Sequence, residues 1–289
     1  MANATIDPEL LNRCHRNFVE SFWQLARSAP NAKRISLDTA EGAELLSSAF
    51  RVSAANVLFI RPEAGAPEST LQRARVEFGL HTPWRVVAVG PATEKLGRVA
   101  ITMGLRPLPR EPGMLLDPIP PLPPSPAGLA IRRVATLGEL RDWGIPWAAA
   151  FRVPRAAFRL LQPVLPVDDP ARGAQVRFFV GYKGTRPVAC ASIVVTEGIA
   201  GIYSVGTTPS ARGRGFGAAI TARAVEEGRL MGATSAYLVS TKMGYPVYQR
   251  LGFVPVCDYQ SWEVPLTLFG GIRVLLEIWW MDRRAARRP

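Results

Sequence analysis

Residues 212–217 combine three glycines with two arginines, a composition suited to binding a phosphate group. Glycine has no Cβ atom, so the backbone can approach a ligand closely. From Ala218 onward the chain has the amphipathic pattern of a helix, and the first N–H groups of a helix lack partners within it and attract anions. The side chains of Arg212 and Arg214 add positive charge at the same place. The stretch therefore predicts a phosphate or pyrophosphate site.

Two flanking elements must position this loop: a predicted strand, 202–205, which ends at the turn-forming residues 207–210, and the helix after the loop. Two well-known phosphate loops do not fit. A P-loop requires Gly-Lys-Ser/Thr, whereas Gly217 is followed by alanine. A Rossmann loop requires G-x-G-x-x-G and an acidic residue about 20 positions later, and no acid lies near Tyr237.

A third pattern, Arg-x-x-Gly-x-Gly, is present at Arg212, Gly215 and Gly217. It resembles the pyrophosphate loop of the GNAT acetyltransferase superfamily, whose members bind acetyl-coenzyme A. For so short a pattern, a glycine-rich turn with solvent-exposed arginines is the alternative interpretation.

A second motif follows the predicted helix. An apolar strand, 236–239, leads to Tyr248, and the pair Gly252 and Phe253 comes four residues after that tyrosine. This arrangement resembles the second GNAT signature, a tyrosine-bearing helix followed by Gly-Phe. The order strand, phosphate loop, helix, strand, tyrosine helix and Gly-Phe is also that of the superfamily, so the two motifs together indicate a GNAT fold.

The resemblance implies an N-acetyltransferase that moves an acetyl group from acetyl-CoA to an amine by direct attack. The pantetheine arm would pair with the strand backbone at 205–207, and an N–H near Val205 would polarise the thioester carbonyl. The N–H groups of 213–217 would hold the pyrophosphate. Thr241 stands where many members have an asparagine that faces the cofactor. The implied acetyl-CoA-binding residues are Val205, Gly206, Thr207, Arg212, Gly213, Arg214, Gly215, Phe216, Gly217 and Thr241.

Tyr248 is the residue implied to protonate the departing CoA thiolate, since a phenol with a pKa of about 10 and a thiol with a pKa of about 8.5 are close enough for that transfer. Alternatively, its hydroxyl only bonds to the sulfur. A base is needed as well, because an alkyl amine is mostly protonated at neutral pH. Glu197 is the nearest acidic candidate and a water chain is an equal alternative, while Asp258 and Tyr259 are weaker ones.

The composition limits the class of protein. The chain has 289 residues, 48% of them hydrophobic, which is enough for one large or two ordinary domains with packed cores. Its three cysteines are scattered, which argues against disulfides and fits a reducing cytoplasm, and its two histidines argue against a histidine-rich metal site. The lack of an N-terminal secretion signal also fits the cytoplasm. The net charge of +12 comes mostly from arginine spread along the chain, so it favours an anionic cofactor over nucleic acid.

The succession of elements predicts an α/β (α+β) fold of two tandem GNAT-like domains, each a mixed, largely antiparallel sheet flanked by helices. The first half lacks the glycine loop and the tyrosine, so it is interpreted as a degenerate copy. Its predicted elements are helices over 8–27, 39–48, 67–78 and 92–103 and strands over 56–60 and 84–89. The predicted boundaries are 1–117 for the degenerate domain, 118–127 for a proline-rich linker, 128–265 for the acetyltransferase domain and 266–289 for an apolar, then basic extension.

In the second half, Thr136 and Glu139 have the spacing of a capping box, which predicts a helix start, and 154–161 predicts another helix. Residues 264–281 are apolar over roughly the length of a membrane span, but Arg273 and Glu277 interrupt them, which favours a buried segment or a dimer contact. A surface membrane anchor is the less favoured alternative. The predicted strands of this half are 129–134, 176–182, 187–196 and 201–205.

The expected partner is an amine-bearing small molecule or a protein amino group, with a homodimer as a possible assembly; neither nucleic acid nor a membrane is expected. Two rival functions stay open. A CoA-binding sensor or interaction module without turnover is favoured by the lack of an acid on the strand before the loop. A nucleic-acid-binding protein is favoured by the positive charge.

Overall fold

The computed structural model describes residues 6–29, 31–38, 42–50, 52–61, 68–79, 82–90, 92–154, 158, 162, 165 and 176–264. Its helices are α1 (Pro8–Ala26), α2 (Glu68–Phe78), α3 (Ala92–Thr102), α4 (Leu137–Phe151), α5 (Phe216–Leu230) and α6 (Tyr245–Arg250). Its strands are β1 (Lys33–Asp38), β2 (Ala43–Ser47), β3 (Val57–Ile60), β4 (Arg85–Val89), β5 (Arg106–Pro107), β6 (Glu111–Leu116), β7 (Leu129–Arg133), β8 (Val176–Lys183), β9 (Arg186–Thr196), β10 (Ile199–Thr207), β11 (Ser235–Val239) and β12 (Val254–Glu263).

The chain divides into two compact units whose limits differ from the predicted boundaries. Unit 1 comprises 1–25, 111–158 and 162–258, and unit 2 comprises 26–110, 159–161 and 259–289. Most of α1 and all of β6 therefore belong to unit 1, although both were expected in the first domain. The proline-rich segment 118–127 also lies within unit 1, where Ile119 and Leu122 pack against the core. The interpretation of the first half as a degenerate GNAT copy stays a prediction.

Unit 1 is built on a sheet with the strand order β6-β11-β10-β9-β8-β7. The pair β10–β11 is parallel and the other neighbouring pairs are antiparallel. Successive side chains of a strand point to opposite faces, and on β9 Ala191 and Ile193 pack in the cluster that contains α5, whereas Cys190 and Val194 pack in the cluster that contains α4. Helices α4 and α5 therefore cover opposite faces of this mixed, largely antiparallel sheet.

Side-chain hydrogen bonds explain where α4 begins and how α1 packs on the sheet of unit 1. At the start of α4, Thr136 Oγ1 accepts a hydrogen bond from the Glu139 N–H at 3.1 Å, and the Glu139 carboxylate accepts one from the Thr136 N–H at 3.2 Å. This is the capping box predicted from the sequence. Helix α1 carries a buried Asn17 whose Nδ2 donates to the carbonyl oxygens of Val194 at 3.0 Å and Ile199 at 3.1 Å. These bonds fix α1 to β9 and β10.

The strands of unit 2 have the order β1-β2-β3-β4 followed by the second half of β12; β3 and β4 are parallel, and β5 pairs with β12. Helix α2 packs on β1 and β2, and α3 on β4. The predicted helix over 39–48 is wrong, because Ala43–Ser47 forms β2 between β1 and β3. Its alanine, glutamate and leucine residues favour a helix on their own, but pairing on both edges and burial outweigh that preference.

Two sequence predictions cannot be compared with the structure. The C-terminal extension 266–289 and most of the helix expected over 154–161 lie outside the described residues. Within the part of the chain that is described, no helix has both the length and the apolar character required to cross a membrane.

Candidate functional site

Unit 1 contains a cavity of about 440 Å³ between the end of β10, the start of α5 and the segment from Thr241 to α6. Ten of the residues singled out in the sequence line it: Val205, Gly206, Thr207, Arg212, Gly213, Gly215, Phe216, Gly217, Thr241 and Tyr248. The structure therefore brings both sequence motifs to one place, although more than thirty residues separate the loop from the tyrosine.

The cavity opens where two neighbouring strands separate. Strands β10 and β11 pair at three positions, from Ile199–Ser235 to Gly201–Tyr237, and the described residues show no further pair between them, although β10 continues to Thr207. On its other edge β10 stays paired with β9 as far as Thr207. The peptide groups of 205–207 therefore present an edge without a strand partner to the cavity, and an extended ligand arm can add to such an edge.

A β-bulge redirects β10 just before this edge. Tyr203 pairs with Ser192 and Gly206 with Cys190, so β10 has one residue more than β9 in this interval. Ser204 takes a left-handed φ of 54°, which is uncommon for a residue other than glycine. The Ser192 hydroxyl donates to the Tyr203 carbonyl at 3.2 Å, and the Cys190 thiol donates to the Ser204 carbonyl at 3.3 Å. Side chains of β9 thus satisfy carbonyl groups that the bulge removes from the regular ladder.

The glycine loop has the backbone conformation that its composition predicts. Gly213 and Gly215 have φ values of 74° and 77°, which side chains rarely tolerate, and Gly215 is the residue before α5. A Cβ atom built at either position would meet no heavy atom within 4 Å, so positive φ and not crowding by the protein accounts for glycine here. Phe216 also lines the cavity, although the residue is largely buried in the core. The loop thus leaves the first N–H groups of α5 accessible from the cavity.

The arginines near the loop differ in position. Arg212 lines the cavity and its Nε donates to the Thr207 carbonyl at 3.3 Å, which joins the loop to the end of β10. Arg214 was expected beside the phosphate, but it is not among the described residues that line the cavity. Arg250, in the last turn of α6, does line it. Sequence reasoning missed Arg250, because residues two apart on a helix do not share a face and its place after Tyr248 therefore gave no signal.

Tyr248 is buried at the cavity wall, in the middle of α6. Its ring packs edge-on against Phe253, with 6.1 Å between ring centroids, and a Cβ atom on Gly244 would lie 2.7 Å from the ring. The Gly-Phe pair and the glycine before α6 therefore fix the ring position. Burial raises the pKa of the Tyr248 phenol well above its usual value of about 10, and the neighbouring Cys190 acts in the same direction. The group stays protonated across the physiological pH range.

Thr241 also lines the cavity and helps to start α6. Its Oγ1 accepts a hydrogen bond from the Gly244 N–H at 3.2 Å, and its backbone carbonyl accepts one from the Tyr245 N–H at 3.0 Å. Since the side-chain oxygen is used as an acceptor, the hydroxyl hydrogen can still be donated to a ligand.

Glu197, the acidic candidate for the base, does not line the cavity. It occupies the turn between β9 and β10, at the other end of β10, and Val205 lies eight residues further along the chain. At roughly 3.3 Å per residue this separation is about 26 Å. The Glu197 carboxylate is paired with Arg16 at 2.6 Å, and its carbonyl accepts a bond from Arg13 Nε at 3.0 Å. Glu197 is therefore too far from the cavity to act as the base. The sequence alone did not show which end of β10 faces the cavity.

The remaining sequence candidates also lie elsewhere. Asp258 and Tyr259, the weaker options for the base, are not among the described residues that line the cavity. No cluster of three or more histidine, cysteine, aspartate or glutamate side chains that could hold a metal occurs among the described residues. The lining residues that the sequence did not single out are Ala150, Ala211, Ala218, Met243, Gly244, Pro246, Val247 and Arg250.

Residues 146–253 match the sequence model of the family described as Acetyltransferase (GNAT) family. The matched range begins within α4 and ends at the Gly-Phe pair, and it includes every described residue that lines the cavity. No curated protein matches the chain.

Many solved structures share the fold. A GCN5-related N-acetyltransferase from Kribbella flavida is similar with a TM-score of 0.65 and 20% identity, over 91% of this chain and 96% of that chain. A GCN5-related N-acetyltransferase from Sphaerobacter thermophilus has a TM-score of 0.53 and 17% identity, over 90% and 93% of the two chains. A functionally unknown conserved protein from Staphylococcus epidermidis has a TM-score of 0.56 and 13% identity, over 81% and 94%. Identities this low establish the fold alone.

Proposed function

The chain belongs to the GNAT acetyltransferase superfamily through residues 146–253, and we propose that it is an N-acetyltransferase that moves the acetyl group of acetyl-CoA to an amine. One observation carries this proposal. A single cavity joins the glycine loop at the start of α5, the free edge of β10 and the buried hydroxyl-bearing residue Tyr248. These are a site for phosphate, a site for an extended arm and a proton donor, which are the parts needed to bind and cleave a CoA thioester.

The residues of the cavity fit the charge and shape of acetyl-CoA as a substrate. The positive φ values of Gly213 and Gly215 leave open space in front of the helix N-terminus, where a pyrophosphate would accept backbone N–H bonds. Arg212 and Arg250 bring positive charge to the same cavity. The peptide groups of 205–207 would bond to the amide groups of the pantetheine arm. In this arrangement the thioester would lie at the bulge end of the exposed edge, near Tyr248.

The proposed reaction is direct acyl transfer. The amine nitrogen attacks the thioester carbonyl carbon, a C–N bond forms, the C–S bond breaks, and CoA leaves as a thiol after it gains a proton. A backbone N–H near Val205 would stabilise the negative charge that develops on the carbonyl oxygen. The nitrogen releases one proton during the same process, and that proton must reach solvent.

Tyr248 would supply the proton to sulfur, and the resulting phenolate would regain a proton from solvent before the next turnover. Its raised pKa keeps the phenol protonated, so it is available as a donor at any physiological pH. The same shift makes it a weaker acid than a thiol with a pKa of about 8.5. We therefore propose that the hydroxyl bonds to the departing sulfur and transfers its proton only as the bond breaks. Since Glu197 is directed elsewhere, we propose water for the removal of the amine proton.

Other features of the proposal concern the acceptor and the setting of the reaction. Ala150 of α4 lines the cavity, so the end of α4 forms part of the wall from which the acceptor approaches. The acceptor is proposed to be an amine of a small molecule or a protein. A cytoplasmic location is proposed because the cysteines are unpaired.

The test combines calorimetric titration of acetyl-CoA with an assay of CoA thiol release over a library of amines. Tyr248→Phe is the diagnostic variant and Tyr245→Phe, in the same short helix, is its matched control, because Tyr245 does not line the cavity. We expect micromolar or tighter binding in all three proteins and turnover that is lost in Tyr248→Phe only. Binding without turnover of any amine would favour the CoA sensor, and a parent protein that does not bind acetyl-CoA would refute the proposal.

A further inference from the structure

The bulge of β10 is held by a helix that comes from a distant part of the chain. The Tyr203 hydroxyl donates a hydrogen bond to Asn17 Oδ1 on α1 at 2.6 Å. The Tyr203 ring also stacks on Phe18 of α1, with 5.8 Å between ring centroids and 28° between ring planes. Tyr203 is the residue directly before the left-handed Ser204. Helix α1 therefore contacts the bulge at the point where its backbone leaves the regular strand geometry.

Asn17 can hold the Tyr203 hydroxyl in one place because the Asn17 side chain is itself fixed by hydrogen bonds. It is fully buried, its Nδ2 bonds to the carbonyl oxygens of Val194 and Ile199, and it also donates to Thr196 Oγ1 at 2.8 Å. The amide group thus makes bonds to β9, to the first residue of β10 and to the bulge. An exposed ion pair between Arg16 and Glu197 adds a second connection between α1 and the β9–β10 turn.

The bulge requires such support. A non-glycine residue with φ near 54° is less stable than one with an extended backbone, so it persists only where its surroundings hold it. If the extra residue were absorbed, the strand beyond it would shift by one position. A one-residue shift turns every following side chain and peptide group to the opposite side. The groups of 205–207 that now face the cavity would then face away from it.

We infer, building on the proposed function, that α1 is a positioning element of the acetyl-CoA site: Asn17 acts through Tyr203 to hold the β10 bulge in the conformation that directs 205–207 to the cavity. Neither Asn17 nor Tyr203 lines the cavity among the described residues, so the effect on the ligand is indirect. Helix α1 lies more than one hundred residues before the GNAT match in sequence and yet belongs to the same compact unit.

The test compares two tyrosine-to-phenylalanine variants. Tyr203→Phe removes only the hydroxyl that bonds to Asn17. Tyr182→Phe is the matched control, because the Tyr182 hydroxyl on β8 donates to Asp142 Oδ2 on α4 at 2.9 Å and not to α1. Each variant loses one tyrosine hydroxyl, and the acceptor is a neutral amide for Tyr203 but a carboxylate for Tyr182. Because a hydrogen bond to a charged group contributes more stability, a purely structural effect should be at least as large in Tyr182→Phe. Acetyl-CoA affinity is measured by calorimetry and the mobility of 202–208 by hydrogen exchange, at a temperature where circular dichroism shows both variants folded.

The expected result is about tenfold weaker acetyl-CoA binding in Tyr203→Phe, which corresponds to about 1.4 kcal/mol, together with faster exchange at 202–208. Tyr182→Phe should show neither change. Equal affinity and equal exchange in the two variants would overturn the positioning role and leave the proposed function intact. A parent that does not bind acetyl-CoA would instead refute the cofactor assignment and this inference with it. If Tyr203→Phe unfolds, Phe18→Leu replaces it, because this variant weakens the stacking on Tyr203. Acetyl-CoA affinity and hydrogen exchange at 202–208 are then measured for Phe18→Leu in the same way.

Discussion

Gly217 offers a substitution that should separate binding from folding. It is the second residue of α5, it lines the cavity, and a Cβ atom there would have one close neighbour, Thr207 Oγ1 at 3.3 Å. A shift of a few tenths of an ångström accommodates that contact. Unlike Gly213 and Gly215, it needs no positive φ. A side chain at this position is therefore compatible with the helix but extends into the space assigned to the pyrophosphate.

The expected effects of Gly217→Glu have opposite signs. Removal of glycine from a helix gains up to about 1 kcal/mol, and a carboxylate in the first turn adds about 0.3–1 kcal/mol through the helix dipole. The variant should thus be at least as stable as the parent. A carboxylate about 6 Å from a phosphate charge, at an effective dielectric constant of about 20, costs about 3 kcal/mol. Acetyl-CoA should then bind roughly 100-fold more weakly.

Gly217→Gln is the matched control, because it has the same shape without the charge. Thermal unfolding and acetyl-CoA titration would be measured for both variants at low and high salt. We expect a similar stability for both, weaker binding by the glutamate variant, and a smaller difference between the two at high salt because exposed charges are screened. Binding as tight in Gly217→Glu as in the parent, with the fold intact, would refute the assignment of the pyrophosphate to this loop.

The structure supports four further predictions. Tyr248→Phe should lower kcat by about 10² to 10⁴ if the phenol transfers its proton, and a loss of only about tenfold would indicate a hydrogen bond to sulfur without transfer. Because the pKa of Tyr248 is raised, the pH–rate profile of the parent should show no descending limb up to about pH 10; a decline near pH 8 would contradict this role. Arg250→Ala should raise the KM for acetyl-CoA several-fold with little change in kcat, measured beside the conservative Arg250→Lys, and an unchanged KM would exclude Arg250 from the site. Burial alone would raise the pKa of Glu227, but hydrogen bonds from Arg223 and Arg177 hold this pKa below its usual value. Glu227→Gln should therefore lower the free energy of unfolding at pH 7 by about 1–2 kcal/mol. The difference from the parent should shrink as the pH falls below about 4, and a constant difference across this range would disprove the linkage.

The two motifs were predictable because each one is local. The loop at 212–217 and the Tyr248 motif consist of neighbouring residues whose backbone preferences and spacing are visible in the sequence. The capping box of Thr136 and Glu139 is local in the same sense, and both of its hydrogen bonds are present. Positive φ at Gly213 follows from glycine itself, since other residues rarely adopt it.

The predictions that failed depended on residues far away in the chain. Ala43–Ser47 favours a helix locally and becomes a strand because β1 and β3 pair with it on both edges. Glu197 is near the site in sequence but lies at the far end of β10, since an extended strand separates residues quickly along its length. Arg250 reaches the cavity because α6 folds back toward the loop, which no local pattern indicates.

The sequence by itself determined the resemblance to the GNAT family and the two motifs that meet at the cavity, because glycine conformation, helix starts and motif spacing act over a few residues. Only the tertiary structure decided which edge of β10 has no strand partner at the cavity, that Glu197 lies too far away to act as the base, and that α1 contacts the bulge of β10. Those features arise from pairing between segments such as α1 and β10, whose partners, Asn17 and Tyr203, are separated by most of the chain. Such partners are chosen by burial and hydrogen-bond satisfaction in the folded state, and the sequence around either residue does not reveal the other.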